Sequence, residues 1–367
     1  MSPESSAARQ RASEISADRD AVEGPLQGYH HETYVIPLPD KLAGPRVRGK
    51  FREPRENLLW FDRRCFASEE TLILALRDRI RGIPDIIDVA DGVRLQRFIE
   101  GRTLGSLYVS GQEIPDGIAT QILDLFRHMA RVTPGSLVVE RECRPEDRPA
   151  EGDTGAFLER LICFVEERVY RKNLLAFPGL FASLGLDEDS FKWLRKHVAG
   201  LSERPFCLLH ADLHRENFIV DAEHRLWTID WELAMVGDPL YDLATHLHLT
   251  RYPMVQQRVM ARRWCEVMEE ERPGSSHGWQ EDLPRLLDFK RAQSVFTDII
   301  RATQFLRSWP EPGERVLAQK AVKVRQVLAA AAQPLGLESV PSLGRIAAAL
   351  APWQQPVRPG SSERRKG

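Results

Sequence analysis

The chain has 367 residues, with 51 Lys+Arg against 53 Asp+Glu for a formal net charge of −2, and 43% of it is hydrophobic. That balance argues against a dedicated nucleic-acid binder, whose domain is usually strongly basic, and the apolar fraction suits a globular chain with a real core. No apolar run approaches the roughly 20 residues that span a bilayer, and the first 20 residues lack the apolar core of a signal peptide. The expectation is a cytoplasmic protein with neither a membrane nor a nucleic acid as partner.

Residues 1–20 are rich in Ser, Arg and acids, as are 354–367, and both are read as disordered tails. Tyr29 to Pro39 carries β-formers and 46–53 alternates like a strand. Ser68 then caps a helix in which Glu69, Ile73 and Leu76 recur at i, i+4 and i+7. Short strands follow near 86–89 and 93–98, split by Asp91-Gly92, a two-residue hairpin signal. From Glu100 the apolar period becomes helical, first at Ile118, Ile122, Leu125, Phe126 and Met129, then at Leu158, Leu161, Ile162, Val165 and Val169. Between them, 140–155 is charged and aperiodic, as expected of a mobile surface insertion. Further helices are expected at 188–199, 241–250, 255–270, 283–307 and 314–332. The whole reads as α+β, with a small antiparallel part at 21–99 holding one helix and a larger, mainly helical part at 100–353. The five cysteines, 65, 143, 163, 207 and 265, are widely spaced without a Cys-x-x-Cys, so they are expected to be reduced and mostly buried.

The chemistry concentrates in 206–243, FCLLHADLHRENFIVDAEHRLWTIDWELAMVGDPLYDL. An apolar strand delivers His210-Ala211-Asp212 into a loop, and Asn217 follows five positions after Asp212. The runs FIV and LWTI flank a polar turn, so a hairpin brings Asn217 close to Asp230. One carboxylate and one amide oxygen suffice for Mg²⁺, which keeps waters and phosphate oxygens as its other ligands. A second carboxylate facing an acceptor hydroxyl can orient it and take its proton. Asp212 suits that role, with Asn217 and Asp230 on the metal.

His-x-Asp-x-x-x-x-Asn, a hydrophobic hairpin, Ile-Asp and then GDPLYDLA resembles the aminoglycoside phosphotransferase family and its small-molecule kinase relatives. The resemblance implies a bilobal protein-kinase-like fold, ATP and Mg²⁺ as cofactors, and transfer of the γ-phosphoryl group to a hydroxyl of a small-molecule acceptor. That acceptor is either an aminoglycoside or related antibiotic, giving a resistance enzyme, or a metabolite such as choline, a sugar or an amino-acid alcohol. A nucleotide-binding regulator without catalysis is the third reading, and it fits poorly with Asp212, Asn217 and Asp230 all being present.

Carried over position by position, the resemblance gives His210 and Asp242 as structural supports of the catalytic loop. It also asks for a strand cation on the phosphates, paired with a helix glutamate. Only nine lysines occur, and before position 172 they are Lys41, in a Pro/Gly-bounded loop, and Lys50, in the strand-like RVRGKFRE. Lys50 is therefore favoured, with Arg52 on the same face as its rival. Glu69, inward with Ile73 and Leu76, is preferred over Glu70 as the partner. Gly28, before the first clear strand, falls where the family covers the phosphates, with His30 and His31 beside it. Backbone groups near Arg97 and Phe98 are expected at adenine. His214 is read mainly as loop packing, and His246-x-His248, two apart on a helix, as no metal site. Among the acids after Asp242, Glu266, Glu269, Glu270, Glu271, Asp282, Asp288 and Asp298 alternate with arginines and are read as solvated helix faces.

Overall fold

The computed structural model describes residues 6–26, 28, 31–44, 46–55, 61, 63–90, 93–308 and 313–354. In chain order the elements are α1 (Ala7–Ile15), β1 (Glu23–Leu26), β2 (His31–Pro37), α2 (Asp40–Ala43), β3 (Arg48–Pro54), α3 (Glu69–Leu76), β4 (Ile86–Ala90), β5 (Val93–Arg97), β6 (Arg102–Thr103), α4 (Leu104–Leu107) and α5 (Asp116–Ala130). Then come α6 (Thr154–Phe164), α7 (Leu180–Ser183), α8 (Glu188–His197), β7 (Cys207–Leu209), β8 (Phe218–Val220), β9 (Leu226–Thr228), β10 (Met235–Gly237) and α9 (Pro239–Thr250). The chain ends through α10 (Met254–Glu271), α11 (Trp279–Ser308), α12 (Glu314–Ala330) and α13 (Leu343–Leu350). None of these helices is long and apolar enough to cross a membrane.

Contacts divide the chain into two compact units: residues 1–59, 63–154 and 203–279, and residues 60–62, 155–202 and 280–367. The partition does not follow the expected division at 99/100, because 63–154 and 203–279 group with the residues of the N-terminal sheet.

The first unit holds a five-stranded antiparallel sheet in the order β1-β2-β3-β5-β4. Alternation puts Gly49 on the buried face of β3, while Lys50 and Arg52 share the other. Ala90 pairs with Val93, closing the β4–β5 hairpin, and the expected turn residues Asp91 and Gly92 lie outside the described residues. The supposed N-terminal tail requires correction. Ser6 caps α1, accepting from the Arg9 amide at 3.1 Å, and Ala8 and Ala12 are buried against Tyr34, Ile36, Leu38 and Leu95 of the sheet. Two alanines one turn apart form a flat face that lies on the strands with no large side chain to announce it. At the other end of the chain, residues from 355 onward lie outside the described residues.

Two smaller sheets follow, β6-β8-β9 and β10-β7, both antiparallel. Phe218 pairs with Thr228 and Val220 with Leu226, which is the hairpin expected around Asn217 and Asp230. β8 leaves no room beside it: a Cβ on Gly101, whose φ is +154°, would stand 2.4 Å from the Val220 carbonyl oxygen. The 140–155 insertion is irregular but tied down. Phe66 bridges Arg141, Arg63 donates to the Asp147 carbonyl at 3.1 Å, and Glu151 accepts from the Phe206 amide at 2.9 Å.

In the second unit, α6 runs into a π-helical segment at Val165–Tyr170, so the apolar period expected through Val169 changes pitch near its end. Its core is aromatic, with Phe191 and Phe296 stacked at 4.8 Å and Tyr170 edge-on to Phe181 and Phe296.

Candidate active site

Strand β7 runs directly into the loop that carries Asp212, the candidate base. Ala211 adopts φ 65°, a left-handed conformation that costs energy for a residue with a Cβ and therefore has to be held in place. Asp242 of α9 holds it. Its Oδ1 accepts from the Ala211 amide at 2.7 Å and its Oδ2 from the His210 amide at 3.0 Å. His210 is fully buried, its ring centroid 4.6 Å from that of Trp231, and its Nε2–H donates to the Ile229 carbonyl at 3.0 Å. Burial drives its pKa down to about 4, so the imidazole is neutral at pH 7 and links the loop to the chain before Asp230.

Asp212 stands between two neighbours. Asn217 donates its Nδ2 to the Asp212 carbonyl at 2.9 Å and to Oδ2 at 3.2 Å, while His214 Nε2 lies 3.4 Å from the same Oδ2. His214 Nδ1 accepts from the Glu216 amide at 3.1 Å, which leaves the ring proton on Nε2, facing Asp212. Burial opposes a charge on His214, but its hydrogen bond to Asp212 and the charges of Asp212 and Asp230 prevail and raise its pKa. His214 therefore packs the loop and also contacts the candidate base.

The Asn217 carbonyl accepts from the Ile229 amide at 3.0 Å, so the hairpin seats Asn217 beside the residue preceding Asp230. Because Nδ2 is spent on Asp212, the Asn217 side-chain oxygen is its remaining acceptor. Asp230, at φ 66°, has a buried Oδ1 with no hydrogen-bond partner among the described residues and Arg52 Nη1 at 3.8 Å. Burial and the neighbouring carboxylates of Glu69 and Glu232 push its pKa up to about 6, against the pull of Lys50 and Arg52. A buried carboxylate oxygen without a donor, one residue beyond the Ile229 amide that the Asn217 carbonyl accepts from, is an oxygen ligand that fits Mg²⁺. Among the described residues no cluster of three or more His, Cys, Asp or Glu has metal-holding geometry, and an Mg²⁺ completed by substrate phosphates needs none.

The sheet supplies the cations. Arg52 pairs with Glu69 through Nη2 and reaches Glu70 at 3.5 Å, and Glu69 Oε1 accepts from the Trp231 amide at 2.9 Å. Glu69 is thus the buried partner and Glu70 the half-exposed one. The pair, however, is made by Arg52 rather than by Lys50. Arg52 and Lys50 leave the same face, and the longer, forked guanidinium reaches the helix carboxylate. Lys50 makes no hydrogen bond or ion pair among the described residues. Burial and then Arg52 lower its pKa, while Asp230, Glu69 and Glu232 favour its charge. It is a cation beside three carboxylates with its donors unspent.

Burial alone would raise the Glu69 pKa, but Arg52 and Lys50 outweigh it and hold it at about 2, below the ordinary 4.5. Stability from this carboxylate is therefore fully present above pH 4.5 and is lost as pH falls toward 2. Glu69→Gln should cost about 1–3 kcal/mol at pH 7 and flatten that acid limb, as read by urea unfolding at a series of pH values.

Of the expected phosphate-covering stretch at 24–31, residues 27, 29 and 30 lie outside the described residues, residues 24–26 belong to β1, and Gly28 is exposed. His30 is thus outside the described residues, whereas His31 Nδ1 lies 3.5 Å from Glu232 Oε2. The backbone expected at adenine is partly engaged within the sheet. The Arg97 amide donates to the Asp85 carbonyl at 2.7 Å and the Phe98 amide to the Arg48 carbonyl at 2.8 Å, so both are spent in extending the sheet. The amides of Ile99 and Glu100, just beyond, donate to no backbone carbonyl among the described residues.

His246 is buried, with Nδ1 2.9 Å from the Leu213 carbonyl and Nε2 2.9 Å from the Tyr252 hydroxyl, so both ring nitrogens are committed to bracing the loop. Of the seven acids after Asp242 expected on solvated helix faces, five are likewise engaged at hydrogen-bonding distance: Glu269 accepts from the Gly274 amide and the Ser276 hydroxyl, Glu271 pairs with Arg131, Asp282 accepts from the Ser202 amide, Asp288 contacts His197 and Asp298 pairs with Lys323. Two supports escape sequence reasoning. Arg204, fully buried, clamps Asp238 bidentately at 2.9 and 2.7 Å, and Asp238 caps α9 through the Leu240 amide. Arg215, inside the loop, donates to the carbonyls of Tyr108, Gln112 and Thr250. A charged residue beside Asp212 in a loop otherwise closing on apolar strands was the available signal for Arg215.

The chain matches the phosphotransferase enzyme family (APH) over residues 74–286, more than half of its length. Among solved structures, it is similar to a choline/ethanolamine kinase family protein from Mesorhizobium loti at 15% identity, covering 93% of this chain and 98% of that one, with a TM-score of 0.48. It is also similar to a macrolide 2'-phosphotransferase from Brachybacterium faecium (16% identity, 87% and 93% covered, TM-score 0.48) and to a choline kinase from Streptococcus pneumoniae (17%, 84% and 94%, TM-score 0.45). These likenesses stand below a TM-score of 0.5, so the family match carries the assignment.

Proposed function

Because this chain belongs to the phosphotransferase enzyme family, and so is a phosphotransferase acting on a hydroxyl group of a small molecule, we propose that it transfers the γ-phosphoryl group of Mg²⁺-bound ATP to that hydroxyl, with Asp212 as the base. The observation that carries this reading is the convergence of Asp212 on Asn217, of Asn217 on the strand leading to Asp230, and of Asp230 on Lys50, Arg52 and Glu69. Asp212 accepts the hydroxyl proton as the new O–P bond forms, and the bond from the γ-phosphorus to the bridging oxygen breaks to release ADP. Asn217 and Asp230 would hold the magnesium, which when bound neutralises phosphate charge. Lys50 offers its unspent donors to the phosphates, while Arg52 fixes Glu69 and, through the Trp231 amide, the backbone next to Asp230. Residues 21–99 would carry the nucleotide, with the adenine edge met where the two parts join, at Arg97 to Glu100, and 100–353 would carry the acceptor.

Lys50→Met should weaken ATP binding about 10- to 100-fold, the worth of one charge-assisted hydrogen bond, while Arg52→Met should mainly lower stability; titration calorimetry and urea unfolding separate the two. The reading as a whole is tested by following ADP release with Mg-ATP against aminoglycosides, macrolides, peptide antibiotics, choline, ethanolamine and sugars. One hydroxyl acceptor should raise turnover well above the rate with water. If Mg-ATP binds but every acceptor leaves the rate at background, a nucleotide-binding regulator replaces the enzyme.

A further inference from the structure

Two of the five cysteines, 78 positions apart in sequence, meet in the fold outside the active site. The segment before α3 and the 140–148 loop run antiparallel: Phe66 bridges Arg141, the Glu142 amide donates to the Cys65 carbonyl at 3.0 Å, and the Ala67 amide donates to the Glu140 carbonyl at 3.2 Å. This pairing sets Cys143 Sγ 3.8 Å from the Cys65 carbonyl, which brings the two cysteines side by side across the loop. Cys65 is buried, whereas Cys143 is half-exposed, with Arg63 nearby and Arg148 donating to its carbonyl at 2.8 Å. The expectation of mostly buried cysteines thus holds for Cys65 and Cys207 alone. An open depression of about 710 Å³, lined in part by Leu137, Val139, Arg141 and Arg148, lies on the same loop.

We propose that Cys143 and Cys65 form a peroxide-sensitive dithiol, Cys143 being the attacking sulfur and Cys65 the resolving one. The Cys65 thiol hydrogen bond draws the Cys143 pKa down, and Arg148 and Arg63 reinforce it against burial, so Cys143 is the more nucleophilic sulfur. Its thiolate attacks an oxygen of hydrogen peroxide. An S–O bond forms, the O–O bond breaks, and the departing hydroxide takes up a proton as water, leaving a sulfenic acid. The Cys65 sulfur then attacks the Cys143 sulfur. The S–S bond forms, the S–O bond breaks, and the hydroxide leaves as water with the Cys65 thiol proton, so two thiols have passed two electrons to one peroxide. The product fastens the loop to the residue three positions before Ser68, which caps the helix carrying Glu69. It is a modification site with reach toward the ion pair of the nucleotide side, and it stands whether or not the chain is a kinase.

The test treats the reduced full-length chain with hydrogen peroxide, alkylates the remaining thiols and maps peptides without reductant. The expected product is a cross-link between the Cys65 and Cys143 peptides that dithiothreitol reverses. Cys65→Ala should leave a sulfenic acid on Cys143 that dimedone captures, and Cys143→Ser should abolish the cross-link. In the native chain Cys143 should be alkylated at least about tenfold faster than Cys163 or Cys265. Overoxidation of Cys143 without a cross-link to Cys65, or equal reactivity at Cys163 and Cys265, would overturn the proposal.

Discussion

Replacing Asp212 by Asn should lower acceptor-dependent turnover about 10²- to 10⁴-fold, the usual worth of a positioned general base, while leaving Mg-ATP affinity within a few-fold of the unaltered chain. The asparagine keeps the shape of the side chain and can still accept the Asn217 hydrogen bond at the Oδ2 position, so the loop has no reason to move. What it loses is the capacity to take the hydroxyl proton and the charge that raises the His214 pKa. The two readouts are steady-state ADP release and titration calorimetry. Lost turnover with retained binding is the expected pair; full activity in Asp212→Asn would assign the base elsewhere, and loss of both would make Asp212 a binding or folding residue.

Arg204→Met should destabilise the first compact unit by about 3–5 kcal/mol, the cost of removing one partner from a buried ion pair. Neither side chain of the Arg204–Asp238 pair is exposed to solvent, so Asp238 would be left charged without water or a countercharge, holding only the Leu240 amide among the described residues. Arg204 also donates to the His277 carbonyl at 2.6 Å, and that acceptor would be orphaned too. The effect should extend to function, because Asp238 caps the helix from which Asp242 holds the His210 and Ala211 amides. Urea unfolding measures the loss. Arg204→Met combined with Asp238→Asn should recover part of it, since the second change removes the stranded charge. A loss below about 1 kcal/mol for the single variant would mean that water reaches Asp238.

The parts of the site carried by strand alternation and turn chemistry were readable in advance. FIV and LWT bracket polar DAEHR, and a hairpin is the low-cost way to bury both runs, so Asn217 had to approach Asp230. Ser68 followed by Glu69, Ile73 and Leu76 likewise announced a capped helix with its acid turned inward. Other features carry no such signature. Helix α1 buries only Ala8 and Ala12, too small to register as an apolar stripe, and its sequence otherwise reads as a solvated tail. Lys50 and Arg52 have the same parity on β3, so alternation places both toward the site and cannot divide the work between them; side-chain length and the position of Glu69 do that. The end of strand β5 was not legible either, because strand ends depend on which amide finds a partner, and Asp85 and Arg48 supply carbonyls that extend the sheet through Phe98. Arg204 is invisible for a compositional reason. In a chain with 51 Lys+Arg of which only nine are lysine, nothing local sets apart the arginine that is buried.

The central claim, that this chain moves a phosphoryl group from ATP to a hydroxyl, is tested most directly by ³¹P NMR of Mg-ATP incubated with the protein and the acceptor that most raises ADP release. The account predicts a phosphomonoester resonance that grows in step with ADP and is absent with Asp212→Asn. Inorganic phosphate as the sole new phosphorus species would make the chain a hydrolase, and AMP with pyrophosphate would make it a nucleotidyl transferase; either result contradicts the account.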